Sequence, residues 1–274
     1  MWWTAERMSI GRRIERAVLR WVTGALNGRG RLLLQRVPLA FAGDRGGFLA
    51  LRRDWVAGDP KDNDRDLARL AALVLNVRAV EAAGVPGAFA ELGVWRGNSA
   101  KVIHRLAPER ELYLLDTFGG FDAADTAADR ASGVAHHFRD VTPEGVRAFV
   151  GPSPRVHFVV GRFPDTAGAI PADARFAFVH IDCDLYLPAL AALTFFYPRM
   201  SPKGMIVVHD YASGRWPGLT QAVDEFLADK PEGGVLLPDL SGSIAIVRHG
   251  VPAAPLAAAA APATAAPATA PAPG

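Results

Sequence analysis

Cysteine is almost absent from this chain: Cys183 stands alone among 274 residues. An intramolecular disulfide and a cysteine-built zinc site are thereby excluded, and a reducing cytoplasm is the expected compartment. No apolar run approaches the roughly 20 residues that a membrane-spanning helix needs. No compact apolar segment followed by small residues marks a signal peptide. Neither sign of charge dominates, since 30 Lys and Arg against 28 Asp and Glu leave a formal net charge of +2. That balance gives no reason to expect nucleic acid or another polyanion as partner. Internal repeats are missing, and so is the G-x-G-x-x-G fingerprint of dinucleotide-binding turns. What remains is globular in composition, 50% hydrophobic and 21% charged, and long enough for one large α/β domain with a sizeable core.

The chain divides by composition into residues 1–60, 61–250 and 251–274. Its first 40 residues are Arg-rich and acid-poor. Ile10, Ile14, Val18, Trp21 and Val22 recur there at helical spacing, with Arg12, Arg13, Arg16 and Arg20 between them. This predicts an amphipathic basic helix. Such a helix can lie on a membrane surface or act as a targeting peptide, but its apolar stripe more often packs on the core or on a second subunit. Residues 1–60 are thus expected to form a helical segment that contacts either a second copy, giving a homodimer, or the substrate pocket. From 251 onward the chain is almost wholly Ala, Pro and Thr, with nothing to build a core, so that tail is expected to be disordered.

In 61–250 a helix is expected over 62–83, with Leu67, Leu70, Ala71, Val74, Val77 and Ala82 on its apolar face. Gly84-Val85-Pro86-Gly87 stops it. Strands are expected at 88–92, 111–115, 156–160, 176–181 and 204–208, followed by a hairpin of 234–237 and 243–247. Short apolar runs alternating with helical patterns predict an α/β fold. Its sheet is seven-stranded and mostly parallel, with helices on both faces and a C-terminal antiparallel hairpin. Residues 122–150, richer in Asp, Ala, His and Arg, read as an insertion covering the cleft, with a helix at 143–150.

Three groups of residues point to chemistry. Glu91-Leu92-Gly93-Val94-Trp95-Arg96-Gly97-Asn98-Ser99 follows a strand and opens a helix. Glycines there let the backbone approach a ligand, and the helix start offers free N–H donors; a simple tight turn has the same signature. Asp116 ends the next strand, where a carboxylate can hold ribose hydroxyls or cap a helix. Asp182, His209 and Asp210 all fall where apolar strands run out, at the carboxyl edge of the sheet. Two carboxylates and an imidazole suit a divalent cation, Mg²⁺ or Mn²⁺ among others, which can hold a hydroxyl and lower its pKa. His209 and Asp210 can also merely cap strands and pair with arginines. In the insertion, His137 beside His136 is a candidate general base, although paired histidines in a polar loop are often just solvated. Asp184 and Tyr186 are expected to support the site, and Cys183 to pack into the sheet rather than react.

From about Gly84 to Phe226 the chain resembles the macrocin/mycinamicin O-methyltransferase (TylF/MycF) family. The resemblance is carried, in order, by GVPGAFAELGVWRGNSA, LYLLDTFGGFD, HHFRDVTPEGVRAFV, VVGRFPDTAGAIP, FAFVHIDCDLYLPALAALTFFYPRMSPKGMIVVHDY and PGLTQAVDEF. It implies a Rossmann-like class I methyltransferase that uses S-adenosylmethionine and methylates a sugar-type hydroxyl of a small-molecule natural product, with Mg²⁺ in characterised members. By position it places Glu91, Gly93, Trp95, Gly97 and Ser99 at the methionine end of the cofactor, Asp116 on the ribose, and Arg162 and Phe163 near the adenine. Asp182 is implied to bind the metal and to help deprotonate the acceptor. The Asp-Asp-Tyr of the family's second metal position reads His209-Asp210-Tyr211 here, which is expected to weaken Mg²⁺ binding or to change the metal preferred. Two rival functions are a nicotinamide-dependent dehydrogenase, disfavoured by the glycine spacing, and a cofactor-binding module that has lost its chemistry.

Overall fold

The computed structural model describes Val18, Trp21 and residues 47–59, 63–129 and 138–249. Most of the expected N-terminal helix, His136, His137 and the 251–274 tail lie outside the described residues. By its contacts the chain divides between Ala50 and Leu51. In the first unit Val18 and Trp21 have helical backbone and exposed side chains.

The second unit carries the fold. Helix α1 (Gly47–Ala57) runs into it and is followed by α2 (Leu67–Ala82) and β1 (Ala88–Leu92). Next come α3 (Asn98–Leu106), β2 (Leu112–Asp116), α4 (Ala123–Ala128), α5 (Pro143–Val150) and β3 (Val156–Val160). The chain continues through β4 (Phe176–Ile181), α6 (Tyr186–Phe196), β5 (Met200–Val208) and α7 (Pro217–Leu227), then β6 (Gly234–Leu236) and β7 (Ile244–Val247). The strands form one seven-stranded sheet in the order β3-β2-β1-β4-β5-β7-β6. β1 to β5 are parallel, and β7 runs antiparallel to both β5 and β6. Helices α2, α3 and α5 pack as one group and α4, α6 and α7 as another, covering the two faces.

Local sequence accounts for these elements. All six residues of β4 are buried, as a central parallel strand requires, and hence its apolar run, broken only by His180. α2 begins with its first apolar residue, five residues after the expected start at 62, because Asn63–Arg65 form a 3-10 turn and Asp66 caps the helix, accepting the Arg69 backbone N–H at 2.9 Å. Capping ends the ambiguity that periodicity leaves. Thr142 caps α5 in the same way, with Pro143 in the first turn. β5 starts at Met200 rather than 204: Met200 pairs with Phe176 and Met205 with Phe178, so a bulge absorbs the polar Ser-Pro-Lys-Gly that reads as a turn. The core on the α6–α7 side gathers Leu92, Val179, Ile181, Leu193, Phe196, Leu219 and Val223.

Candidate active site

Strand order reverses between β1 and β4, and the crevice that such a reversal opens at the carboxyl ends of the strands is the usual ligand site of open α/β sheets. A cleft of about 420 Å³ lies there, within the size range of small-molecule sites. Its floor is made by three strand ends tied together, those of β1, β2 and β4. The Asp182 N–H donates to the Leu92 carbonyl at 2.8 Å and the Gly93 N–H to the Leu115 carbonyl at 2.9 Å. Gly93 has φ 86°, and a Cβ there would lie 2.0 Å from the Asp182 carbonyl oxygen, so only glycine fits. Trp95, Asp184 and Asp210 also hold left-handed backbone, with φ of 45°, 65° and 61°. Such conformations cost energy in non-glycine residues and concentrate at functional sites.

On the β1–β2 side, Asp116 organises the loop. Its Oδ2 accepts the Val94 and Trp95 N–H groups at 2.7 and 2.8 Å, and its Oδ1 accepts that of Phe118 at 2.7 Å. Asp116 caps no helix; Asp122 does so for α4. Gly93, Trp95, Ser99, Asp116, Arg162 and Phe163 all line the cleft. Arg162 is held by Asp125 and Asp165, and the bonds from Asp125 foremost keep its guanidinium protonated. Two of the loop residues stand behind the lining. Glu91 is fully buried and pairs with His180 Nδ1 at 2.8 Å, its register partner on β4. Gly97 caps α3 at φ 80° and packs on Val146 of α5, where a Cβ would approach to 2.8 Å.

On the β4–β5 side, Asp182, His209 and Asp210 each offer one ligand atom within 4.8 Å of the others. His209 Nδ1 lies 2.8 Å from Asp182 Oδ1 and 3.4 Å from Asp210 Oδ2, and the Trp216 indole N–H donates to the latter oxygen at 3.1 Å. Asp182 Oδ2 accepts from Arg69 of α2 at 2.5 Å. Burial works against charge on Asp182, but Arg69 and His209 outweigh it and hold the carboxyl well below the usual range. Asp182 is therefore ionised at neutral pH. Asp184, also buried, is pushed well above the usual range by that burial and by Asp182 and Asp210. Excess carboxylate at one spot is the electrostatic setting a cation relieves.

Trp95, Phe138, Phe121 and Trp216 form one wall, each ring meeting the next edge-on at centroid distances of 5.3, 5.3 and 5.6 Å. Asp122, Asp125 and Phe138 bring parts of the 122–150 stretch to the cleft, whereas α5 packs on α3. Cys183 packs against the core, and burial, with Asp184 and Asp182 nearby, pushes its thiol up. Tyr186 lies outside the lining and bonds Glu225 of α7. Sequence reasoning missed Arg69 and the aromatic wall. An arginine in the first turn of an amphipathic helix reads as a solvated charge, and the wall is assembled from four separate loops.

Residues 66–232 match the macrocin O-methyltransferase (TylF) family. The 8-demethyl-8-(2,3-dimethoxy-alpha-L-rhamnosyl)-tetracenomycin-C 4'-O-methyltransferase of Streptomyces olivaceus is 35% identical over 160 residues, 53% of this chain and 61% of that protein. The chain thus spans about three fifths of that relative's length. The demethyldecarbamoylnovobiocin O-methyltransferase of Streptomyces niveus is 31% identical over 192 residues, 64% of this chain and 71% of that one. The solved structure of the O-methyltransferase NovP is similar at a TM-score of 0.55 and 28% identity, covering 66% of this chain and 80% of its own. Matched over more than half of its length, the chain belongs to the macrocin O-methyltransferase (TylF) family.

Proposed function

We propose that the chain transfers the methyl group of S-adenosylmethionine to a sugar-type hydroxyl of a small-molecule natural product. The observation that carries this reading is the place of the Asp182 carboxylate, lining the cleft and joined through backbone contacts to the Gly93 turn. Gly93, Trp95 and Ser99 would take the methionine end of the cofactor, with Glu91 and Gly97 shaping the loop from behind. A carboxylate offers about four acceptor sites, and three N–H groups use three of those on Asp116, which leaves one for a ribose hydroxyl. Arg162 and Phe163 would flank the adenine. When bound, the cofactor's sulfonium supplies an electrophilic methyl carbon.

The protein's own part is to seat an acceptor hydroxyl beside Asp182 and take its proton. With the cofactor held by the Gly93 turn and Asp116, the methyl carbon would be supplied to that oxygen and the sulfur would keep the electron pair of the broken bond. Asp182, His209 and Asp210 fit a divalent cation in donor type and spacing. A cation held there would lower the pKa of the acceptor hydroxyl. The named relatives are O-methyltransferases of a rhamnosyl tetracenomycin and of demethyldecarbamoylnovobiocin, and a glycosylated natural product is the acceptor class we infer for this chain. The aromatic wall suits that class, because flat apolar faces of sugars and ring systems pack on aromatic side chains. The same reading takes 61–250 as the catalytic domain with 122–150 as its cover. It takes the basic N-terminal helix as a homodimer contact, and a reducing cytoplasm as the setting, on the ground of the single cysteine.

The test is a screen of glycosylated and phenolic acceptors with labelled cofactor, run with and without EDTA. Asp182→Asn is expected to lower turnover on the order of 10²-fold or more, as loss of a general base does, while S-adenosylhomocysteine affinity by calorimetry stays unchanged. Full turnover in that variant would show that the proton goes elsewhere.

A further inference from the structure

Both oxygens of Asp182 are occupied, by partners of different origin. Oδ1 faces His209 at the end of β5, inside the cluster already described. Oδ2 is held by Arg69, 113 residues away in sequence and on a different element. α2 otherwise turns Leu70, Leu73, Val74, Val77 and Val80 inward, so this single cation departs from an apolar face. Its side chain is only 16% exposed and lines the cleft. Burial works against its charge, and Asp182 first, then Asp210 and Asp239, overcome that.

Arg69 is also fixed from behind. Asp66 Oδ1 accepts the Arg69 backbone N–H and Asp66 Oδ2 that of Leu240 at 3.1 Å, which anchors the first turn of α2. The guanidinium sits 5.3 Å from the centroid of the buried Trp55 ring. Trp55 is pinned in turn: its indole N–H donates to the Asn63 carbonyl at 3.0 Å, and its own carbonyl accepts from Asn98 at 2.6 Å. A buried ion pair is a poor way to gain stability, since a well-packed apolar pair does as well or better. A rigidly mounted arginine on one oxygen of a reacting carboxylate does have a use, because it fixes the rotamer and presents the other oxygen, which keeps a second lone pair beside its contact with His209, to the substrate.

We propose that Arg69 is a positioning residue for methyl transfer: held by the Trp55–Asn63–Asn98 brace, it grips Asp182 Oδ2 so that Oδ1 is aimed at the acceptor. This rests on the methyl-transfer reading above. A carboxylate freed from that grip samples other rotamers, and displacements near 1 Å in a reacting group cost on the order of 10²-fold in rate.

The experiment compares wild type with Arg69→Leu, Arg69→Gln and Arg69→Lys. It measures kcat and KM with an acceptor from the screen, S-adenosylhomocysteine affinity by calorimetry and folding by thermal melting. For Arg69→Leu, kcat is expected to fall roughly 30- to 100-fold, with acceptor KM and S-adenosylhomocysteine affinity within about twofold of wild type. Arg69→Lys, which keeps a charge without the fork, is expected to recover about a tenth or more of wild-type kcat. A purely structural arginine would instead lower cofactor affinity and melting temperature together, and that pattern overturns the proposal. So does a kcat for Arg69→Leu within about threefold of wild type. If Arg69→Leu does not fold, Arg69→Gln, which keeps an N–H donor but no charge, is read by the same criteria. A wild-type chain that methylates none of the acceptors overturns both readings, whereas active wild type with an equally active variant overturns this one alone.

Discussion

His209 puts a nitrogen where the family pattern has a carboxylate, and under the proposed cation site that difference is expected to change which metal is preferred. Mg²⁺ takes oxygen donors in near-ideal octahedra, whereas Mn²⁺ and Zn²⁺ accept imidazole readily. At equal concentrations Mn²⁺ is expected to support more turnover than Mg²⁺. His209→Asp, which restores an all-oxygen set, should lower the Mg²⁺ needed for half-maximal rate on the order of tenfold. Titration of the EDTA-treated protein with each metal measures this, and equal Mg²⁺ requirements in wild type and variant would sink it. At the residue scale the sequence was informative wherever a polar side chain ended an apolar strand: Asp116, Asp182, His209 and Asp210 all line the cleft. It was silent on pairing. Glu91 and His180 meet because β1 and β4 are register partners, and nothing local to either residue says so. Arg69 needed the same long-range knowledge.

Elements were legible where one physical demand shaped them. Central parallel strands are buried on both faces and are mostly apolar, so β1 and β4 fall on the spans their apolar runs predict, as does the edge strand β3. Boundaries set by caps and bulges, as at Asp66 and Met200, were not. The end of β7 carries a device that its own sequence conceals. Buried Glu232 accepts from Arg248 at 2.5 Å, from the His249 N–H at 2.9 Å and from the Tyr197 hydroxyl, clamping the last strand to the turn after α6. Burial works against its charge, but Tyr197, His249 and Arg248 prevail and take the carboxyl from 4.5 to about 2. Burial and Glu232 in turn push the Tyr197 hydroxyl up to about 12, so it remains a donor. A carboxyl depressed on folding contributes stability that is complete above its unfolded value and lost as pH falls through its folded one. The gap corresponds to about 3 kcal/mol, expected to disappear between pH 4.5 and about 2. Denaturant melts across that window should show the loss in wild type and not in Glu232→Gln, which starts out less stable. Parallel curves for the two proteins would assign the acid sensitivity to other groups.

For the whole molecule, a ligand that binds only the folded state stabilises it by mass action. S-adenosylhomocysteine at 100 times its dissociation constant should therefore add about 2.7 kcal/mol to the unfolding free energy, read as a rise in melting temperature that NAD does not produce. Equal responses to the two nucleotides would speak against the donor side of the proposal. The contact between Gly93 and the Asp182 carbonyl bears on a different matter. Because no side chain can be inserted between those two strand ends, under the proposed methyl transfer the separation of donor from proton acceptor would be a fixed gauge, common to any acceptor the cleft admits. Which hydroxyl of a polyhydroxylated molecule is modified must then be decided by how the walls seat that molecule against the gauge. Regiochemistry is free to diverge in the loops carrying Phe121, Phe138 and Trp216 while the reacting pair stays in register.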